Sequence, residues 1–246
     1  MNDATLAYLT LSHAKGLGPR KIKLLVEAFG SAAAVLAAAQ DELLAVESVG
    51  PSLAKSVMAA KESDWPEREV ARAERLNVAL VHLEDERYPS SLKAVYDPPP
   101  VLYVRGEMPI GAKAVGIVGT RDASEYALKL TEQLAGELAE AGVTVVSGLA
   151  LGVDPAAHRG AVSVPGGLTV AVLGSGVDVV YPRQNQNLAK TIFSGRGAVV
   201  SEYPLGTGPR ASNFPGRNRI INGCASGVVV VEAGAKSGAL ITADYA

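Results

Sequence analysis

The sequence predicts an α/β protein, with a Rossmann-like, doubly wound and mostly parallel sheet preceded by a small all-α domain. Three observations carry this. Of 26 glycines, 21 fall in residues 111–246, so one chain holds two designs. Within that part, five short Val-rich runs (114–118, 143–146, 168–173, 198–200 and 228–231) each precede a glycine or serine turn and a helical stretch. This is the pattern of parallel strands buried on both faces. Ahead of them, residues 1–65 read as short Ala/Leu-rich helices broken by Gly-Pro.

The helical part contains a degenerate repeat. Gly16-Leu17-Gly18-Pro19, followed by Lys21-Ile22-Lys23-Leu24-Leu25, returns 32 residues later as Ser48-Val49-Gly50-Pro51, followed by Leu53-Ala54-Lys55-Ser56-Val57. The pair resembles two helix-hairpin-helix units of a SAM-like domain. Backbone N–H groups at the start of the second helix of such a hairpin can hold a DNA phosphate without reading bases. That makes Gly16, Gly18, Lys21 and Lys23 candidates for secondary DNA contacts, with Lys15 and Arg20 beside them. The second turn departs from the pattern, with Ser48 in place of glycine. The same turns also fit a plain packing module whose glycines only cap helices.

Residues 66–110 read as a connecting segment that packs on the main domain. It holds an amphipathic helix from Pro66 to Leu76, a strand-like run at 78–83, prolines at 98–100 and an edge strand over 101–106.

Composition narrows the function. Hydrophobic residues make up 48% of the chain and charged residues 20%, with a mean hydropathy of +0.19, which excludes global disorder. Cys224 is the sole cysteine and the three histidines are scattered, so neither an intrachain disulfide nor a Cys/His metal site is expected. The start lacks the marks of a secretory signal and no apolar run is long enough to span a membrane, so a cytoplasmic protein is expected. The net charge is −2, yet the basic residues of the glycine-rich part gather in its turns: Arg121, Arg183, Arg210, Arg217, Arg219 and Lys236.

On a doubly wound sheet ligands sit at the carboxyl ends of the strands, so those turns are where function is read. Gly119-Thr120-Arg121 opens a helix over 125–140 and offers N–H groups, a hydroxyl and a guanidinium to a phosphate. Ser147-Gly148 begins a loop that runs to Asp154, read as a helix N-cap, with His158 one turn later as a packed histidine. Arg183 and Asn185 follow Tyr181-Pro182. Arg217, Asn218 and Arg219 follow Pro215-Gly216 and would converge on an anion, with Phe214 available for stacking. Lys236, Ser237 and Gly238 follow the last strand and resemble the end of a phosphate loop without its paired glycines.

Familiar enzyme sites are missing. Gly116-Ile117-Val118-Gly119 is not a dinucleotide turn, and neither a nucleophile elbow nor a paired-carboxylate site is present. A binding protein rather than an enzyme is therefore expected, with no cofactor and no metal.

These motifs, in order along residues 101–246, resemble the DprA/Smf DNA-processing family. They comprise Gly119-Thr120-Arg121, Ser147 to Asp154 with His158, Tyr181-Pro182, Ser201-Glu202-Tyr203-Pro204, Phe214 to Ile221, and Val231-Glu232-Ala233 with Lys236 to Ala243. The resemblance implies a bacterial protein that binds single-stranded DNA entering during natural transformation (competence), protects it and helps load the recombinase RecA. It also implies a homodimer and single-strand-binding protein as a further partner. DNA contacts would fall on Arg121 and on Arg183, which stands where the family has lysine. The resemblance further implies a chain that stops short, at Ala246, of a further strand and a winged-helix-like module. The alternative, from another class, is a LOG-type nucleoside-monophosphate phosphoribohydrolase. It fits less well, because Pro165-Gly166-Gly167 precedes a strand and Gly234-Ala235-Lys236 lacks the downstream glutamate.

Overall fold

The computed structural model of the chain describes residues 3–109, 113–234 and 238. The chain divides into two compact units, residues 1–88 with 96–102, and residues 89–95 with 103–246. The expected divisions at 65/66 and 110/111 are therefore displaced. The helix and strand assigned to a connecting segment belong with the helical unit, because their apolar faces are buried there. Among the described residues no helix is long and apolar enough to cross a membrane.

In the first unit, α1 (Asp3–His13) packs against α2 (Pro19–Phe29), α3 (Ala32–Ala37), α5 (Pro51–Ala60), α6 (Trp65–Arg75) and β1 (Ala79–His82), with α4 (Gln40–Leu44) against α5. Tyr8, Leu9 and Leu11 of α1 are buried, as are Ile22, Leu25, Val35 and Val57 around them. Burying each such side chain contributes about 1.5–3 kcal/mol. Two ring pairs tie the later elements to α1: Tyr8 stacks on His82 at 5.2 Å and His13 on Trp65 at 4.6 Å.

The repeat read in the sequence is a repeat of backbone. Gly16 and Ser48 both have a positive φ, +80° and +70°. Gly18 and Gly50 are both extended N-caps, and Pro19 and Pro51 open the helices that follow, where a missing N–H costs nothing. The Gly18 carbonyl accepts from Ile22 N at 3.1 Å, and the Gly50 carbonyl from Ala54 N at 3.1 Å. Gly16, Gly18, Lys15 and Arg20 are exposed, and Lys21 and Lys23 are half-buried.

The sheet has seven strands in the order β1-β2-β6-β5-β4-β3-β7, formed with β2 (Val101–Gly106), β3 (Ala114–Gly119), β4 (Thr144–Ser147), β5 (Thr169–Val172), β6 (Gly197–Ser201) and β7 (Val228–Val231). The run read as an edge strand, β2, lies one place in from the end. Its residues Tyr103 to Gly106 pair antiparallel with β6, while β3 to β7 pair in parallel. All five Val-rich runs became strands, and every residue of β4, β5 and β6 is buried.

In the second unit, α7 (Ser90–Lys93) packs on α11 (Asn213–Gly223), α8 (Glu125–Glu140) on α9 (Val153–Ser163), and α10 (Gln186–Phe193) on β5, β6 and α9. Buried Ala127, Thr131, Ala135 and Ala139 form the stripe of α8 that faces α9. The two helices approach so closely at Gly160 that a Cβ there would overlap the Glu132 carbonyl. The chain runs from β3 outward to β6, then returns through α11 to β7 on the other side of β3. The order reverses at β3, which places the crevice of the sheet beside Gly119.

The two turns of the repeat make a prediction. A side chain at positive φ costs roughly 1–2 kcal/mol, part of which glycine returns through its unfolded-state freedom. Ser48→Gly is therefore expected to stabilise the first unit by about 1 kcal/mol. Trp65 is the chain's single tryptophan, so its fluorescence during urea unfolding reports this unit. A lower urea midpoint in the variant would contradict the shared backbone.

Candidate nucleic-acid interface

The loop after β3 is tied down by its backbone. Gly119 has no room for a side chain, because a Cβ would strike the Val231 carbonyl and Val153. Thr120 N donates to the Glu232 carbonyl at 2.9 Å, and the Thr120 carbonyl accepts from Val153 N at 3.2 Å. Ser124 caps α8 by accepting from Ala127 N at 3.2 Å. Its own N–H and hydroxyl donate to Glu232 Oε2 at 2.8 and 3.0 Å. The fixed loop leaves Arg121 exposed, with its guanidinium carbon 5.4 Å from the centre of the Phe214 ring.

The loop after β4 is built around a buried arginine. Arg217 of α11 is 4% exposed. Its Nη1 donates to the carbonyls of Gly148 and Val172, its Nε donates to Asn218 Oδ1 at 3.1 Å, and its Nη2 lies 3.6 Å from Asp154 Oδ2. Gly148 must be glycine, since a Cβ there would occupy the guanidinium itself. Asp154 accepts from Ala150 N at 3.1 Å, and Asn185 donates to the carbonyls of Leu149 and Ala150 at 3.0 and 2.7 Å. Ser147 is fully buried and donates to the Ile117 carbonyl at 2.6 Å. Burial pushes the Asp154 carboxyl above its ordinary range, while Arg217 and the N–H groups of Ala150 and Gly148 act in the opposite direction.

His158, one turn along α9, is fully buried. The Thr169 hydroxyl donates to the Val145 carbonyl at 2.6 Å, so at the 2.7 Å contact it accepts from His158 Nδ1. Nε2 then carries no proton and has no partner among the described residues. Burial, with Arg217 and Arg159 nearby, lowers the His158 pKa to about 3.

Several expectations for these loops are corrected. Arg217 and Arg219 do not converge on an external anion. Arg217 is enclosed as described, and Arg219 is buried, donating to both carboxylate oxygens of Glu202 at 2.6 and 2.7 Å and to the Gly216 carbonyl at 2.9 Å. Ser147 and Asn185 are buried and spend their polar groups on the backbone, while Gly119 and Gly148 serve close packing. The N-cap of α9 is Gly152 rather than Asp154, whose carboxylate turns back to the preceding loop. Arg121, Arg183 and Arg210 remain exposed, with Thr120, Phe214 and Asn218 half-buried. Asn218 donates to the Gly238 carbonyl at 3.3 Å. Lys236 and Ser237 lie outside the described residues.

Sequence reasoning passed over Tyr181, which stands 48% exposed with its ring centre 6.0 Å from that of Phe214. A tyrosine within a polar loop was the available signal. It also missed Asp154 and Glu202 as arginine partners, since neither lies near its partner in the chain.

Two predictions follow from this geometry. Removing one partner of a buried ion pair costs about 3–5 kcal/mol, whereas an exposed side chain changes stability by about 0.5 kcal/mol or less. Arg217→Ala is thus expected to lower the thermal midpoint sharply, and Arg183→Ala to leave it in place. Equal midpoints would remove Arg217 from its structural role. The second concerns acid. An unfolded histidine titrates near 6.5, well above folded His158, so below that pH the unfolded chain binds a proton that the folded chain does not. The stability that His158 contributes is complete above about pH 6.5 and is lost as pH falls toward 3, by at most about 1.4 kcal/mol per unit. Urea unfolding at about pH 7 and pH 5 should show this slope and its loss in His158→Gln. A His158→Gln variant that keeps the parent's pH dependence would place His158 elsewhere.

The family model for DNA recombination-mediator protein A matches residues 79–246. The protein Smf of Synechocystis sp. is 37% identical over 250 residues, covering all of this chain and 62% of the relative. Smf of Escherichia coli is 42% identical over 174 residues, covering 70% of this chain and 46% of the relative. DNA processing protein DprA of Bacillus subtilis is 38% identical over 181 residues, covering 73% and 60%. The chain thus spans roughly half to three fifths of these relatives. The crystal structure of DNA processing protein A from Streptococcus pneumoniae superposes with a TM-score of 0.81 at 31% identity, over 99% of this chain and 83% of that one. The solved structure of DNA processing protein A from Helicobacter pylori, described for its single-stranded DNA binding mode, superposes with a TM-score of 0.59 at 30% identity, over 68% and 75%. By the family match over most of its length and these resemblances, the chain belongs to the DNA recombination-mediator protein A family, whose members carry the names DprA and Smf.

Proposed function

We propose that the second unit binds single-stranded DNA along the carboxyl end of its sheet, with Arg121 and Arg183 holding phosphates and Arg210 extending the track. The observation that carries this is a division among the arginines of the strand-end loops. Arg217 and Arg219 are neutralised inside the protein, whereas Arg121, Arg183 and Arg210 are exposed and enter no ion pair among the described residues. Positive charge is thereby concentrated on the rim where a polyanion would lie. Contacts of this kind hold the backbone without reading base edges. The H. pylori relative, whose structure was described for its single-stranded DNA binding, supports the reading.

In the same proposal the protein acts in natural transformation, in the cytoplasm, as a homodimer. It shields the incoming strand, meets single-strand-binding protein and passes the strand to RecA. The exposed turn at Gly16 and Gly18, with Lys21 and Lys23, adds secondary phosphate contacts. The protein holds DNA without cleaving it. The acidic and imidazole groups of the loops support this, since Asp154 and Glu202 each face an arginine and His158 is enclosed.

Titration of single- and double-stranded oligonucleotides of equal length at two salt concentrations tests the reading. Single strands should bind more tightly, with a salt slope near −0.7 per phosphate neutralised. Arg121→Ala should lose on the order of 1.5–3 kcal/mol, while Arg72→Ala should lose nothing measurable. Equal or tighter binding of blunt duplex would overturn the proposal. Incubated with AMP, the protein should release no adenine; release would favour the phosphoribohydrolase alternative.

A further inference from the structure

We propose that Glu232 is a positioning residue for Arg121: it grips both ends of the short loop that carries the arginine and so holds the guanidinium in one place on the rim. The proposal rests on the single-strand reading above and names the residue that sets one of its phosphate contacts.

The loop has only three residues, Arg121, Asp122 and Ala123, between Thr120 and Ser124. Glu232, the first residue after β7, meets it at each end. Its carbonyl accepts from Thr120 N at 2.9 Å, and its Oε2 accepts from the Ser124 N–H and hydroxyl at 2.8 and 3.0 Å. Ser124 is also the N-cap of α8, so the carboxylate lies at the positive end of that helix and fastens the loop to it. On its other side the loop backbone lies against Gly152, where a Cβ would overlap the Thr120 carbonyl and come within 2.8 Å of the Arg121 carbonyl carbon.

Two features set Glu232 apart from an incidental surface glutamate. Its φ is +50°, in the left-handed region that disfavours any residue with a Cβ, and glycine would sit there at less cost. Its charge has the sign of DNA and stands exposed near an arginine proposed to hold a phosphate, where it works against binding. Both costs are offset by the same two hydrogen bonds, which an apolar side chain does not make. Those bonds direct the carboxylate to Ser124. Arg121 enters no ion pair among the described residues, and its guanidinium stands over the Phe214 ring at 5.4 Å. The loop is thereby held by a carboxylate that leaves its arginine unneutralised.

Substitution at this one position separates charge from grip. Glu232→Gln removes the charge and keeps an acceptor for Ser124, whereas Glu232→Ala removes both. Each is made in the parent and in Arg121→Ala, and affinity for a fluorescein-labelled thymine oligonucleotide is read by anisotropy at two salt concentrations. Glu232→Gln should bind at least as tightly as the parent. Glu232→Ala should bind about threefold to tenfold more weakly than Glu232→Gln, with a salt slope reduced toward that of Arg121→Ala. In the Arg121→Ala background the difference should disappear, because no guanidinium is left to place. Equal affinities of the Gln and Ala variants overturn the positioning role. So does a difference that persists without Arg121, which would make Glu232 a support of the fold at large. If Glu232→Ala does not fold, Glu232→Asp, which keeps the charge and withdraws the carboxylate by one methylene, is compared with the parent in both backgrounds under the same criteria. The single-strand reading is judged separately by Arg121→Ala with Glu232 intact. No loss of affinity there defeats that reading, whereas a loss without a Gln-to-Ala difference defeats only the role of Glu232.

Discussion

The buried guanidinium of Arg217 is the constraint on which the strand-end loops depend. A cation out of water needs acceptors in fixed places, and its effective desolvation cost is several kcal/mol. Here they are drawn from the loop after β4, the end of β5, α9 and α11 itself. Each supplier is constrained in turn. Gly148 has no side chain because the guanidinium fills that space, and Asp154 faces inward because the ion pair holds it. Phe214 and Asn218 lie on the same helix as Arg217, so seating that residue also positions the ring beneath Arg121. The buried pair gains little stability against an apolar pair of similar size. What it contributes is a single arrangement of separate loops.

The parallel sheet was legible because burial on both faces leaves an unmistakable mark. Val143 to Val146, Leu168 to Leu173 and Val228 to Val231 could be strands of little else. The repeat around Gly16 and Ser48 was legible too, because Pro19 and Pro51 mark equivalent helix starts. The division between units was read less well. It was placed where glycine becomes frequent, yet the residues that choose a unit are apolar. Val70, Ala73 and Val81 are buried with the helical part, and Leu92 of α7 meets α11, where Gly223 makes room for it.

The site was half legible, and the error has a physical cause. A sequence shows that a turn carries charge but not whether that charge is spent. Arg217 and Arg219 sit beside Arg121 and Arg183 in any list of basic turn residues, and only the fold separates them. Asp154, the partner of Arg217, stands at the start of α9 after β4, where parallel topology brings it to α11, while Glu202 stands just after β6, 17 residues before Arg219. Tyr181 was passed over because its loop was read for charge, at Arg183, and the exposure of the ring is a property of the assembled rim.

The division of labour among the arginines also bears on how a near-neutral unit would hold a polyanion in the proposed mode. The opposite charges of the second unit are not mixed at random. Glu132, Glu137 and Glu140 are exposed on α8, while Arg121, Arg183 and Arg210 are exposed on strand-end loops. At physiological ionic strength the field of each group decays over about 8 Å, so an approaching strand responds to local charge and not to the net charge of −2. In the proposed mode the exposed rim arginines would attract the strand locally. Arg121 also projects from a loop fixed by Glu232 and Val153, and Arg183 from a segment tied through Asn185 to the carbonyls of Leu149 and Ala150. In the proposed mode, binding would chiefly order their side chains, the backbone entropy cost at these two loops having been met in folding.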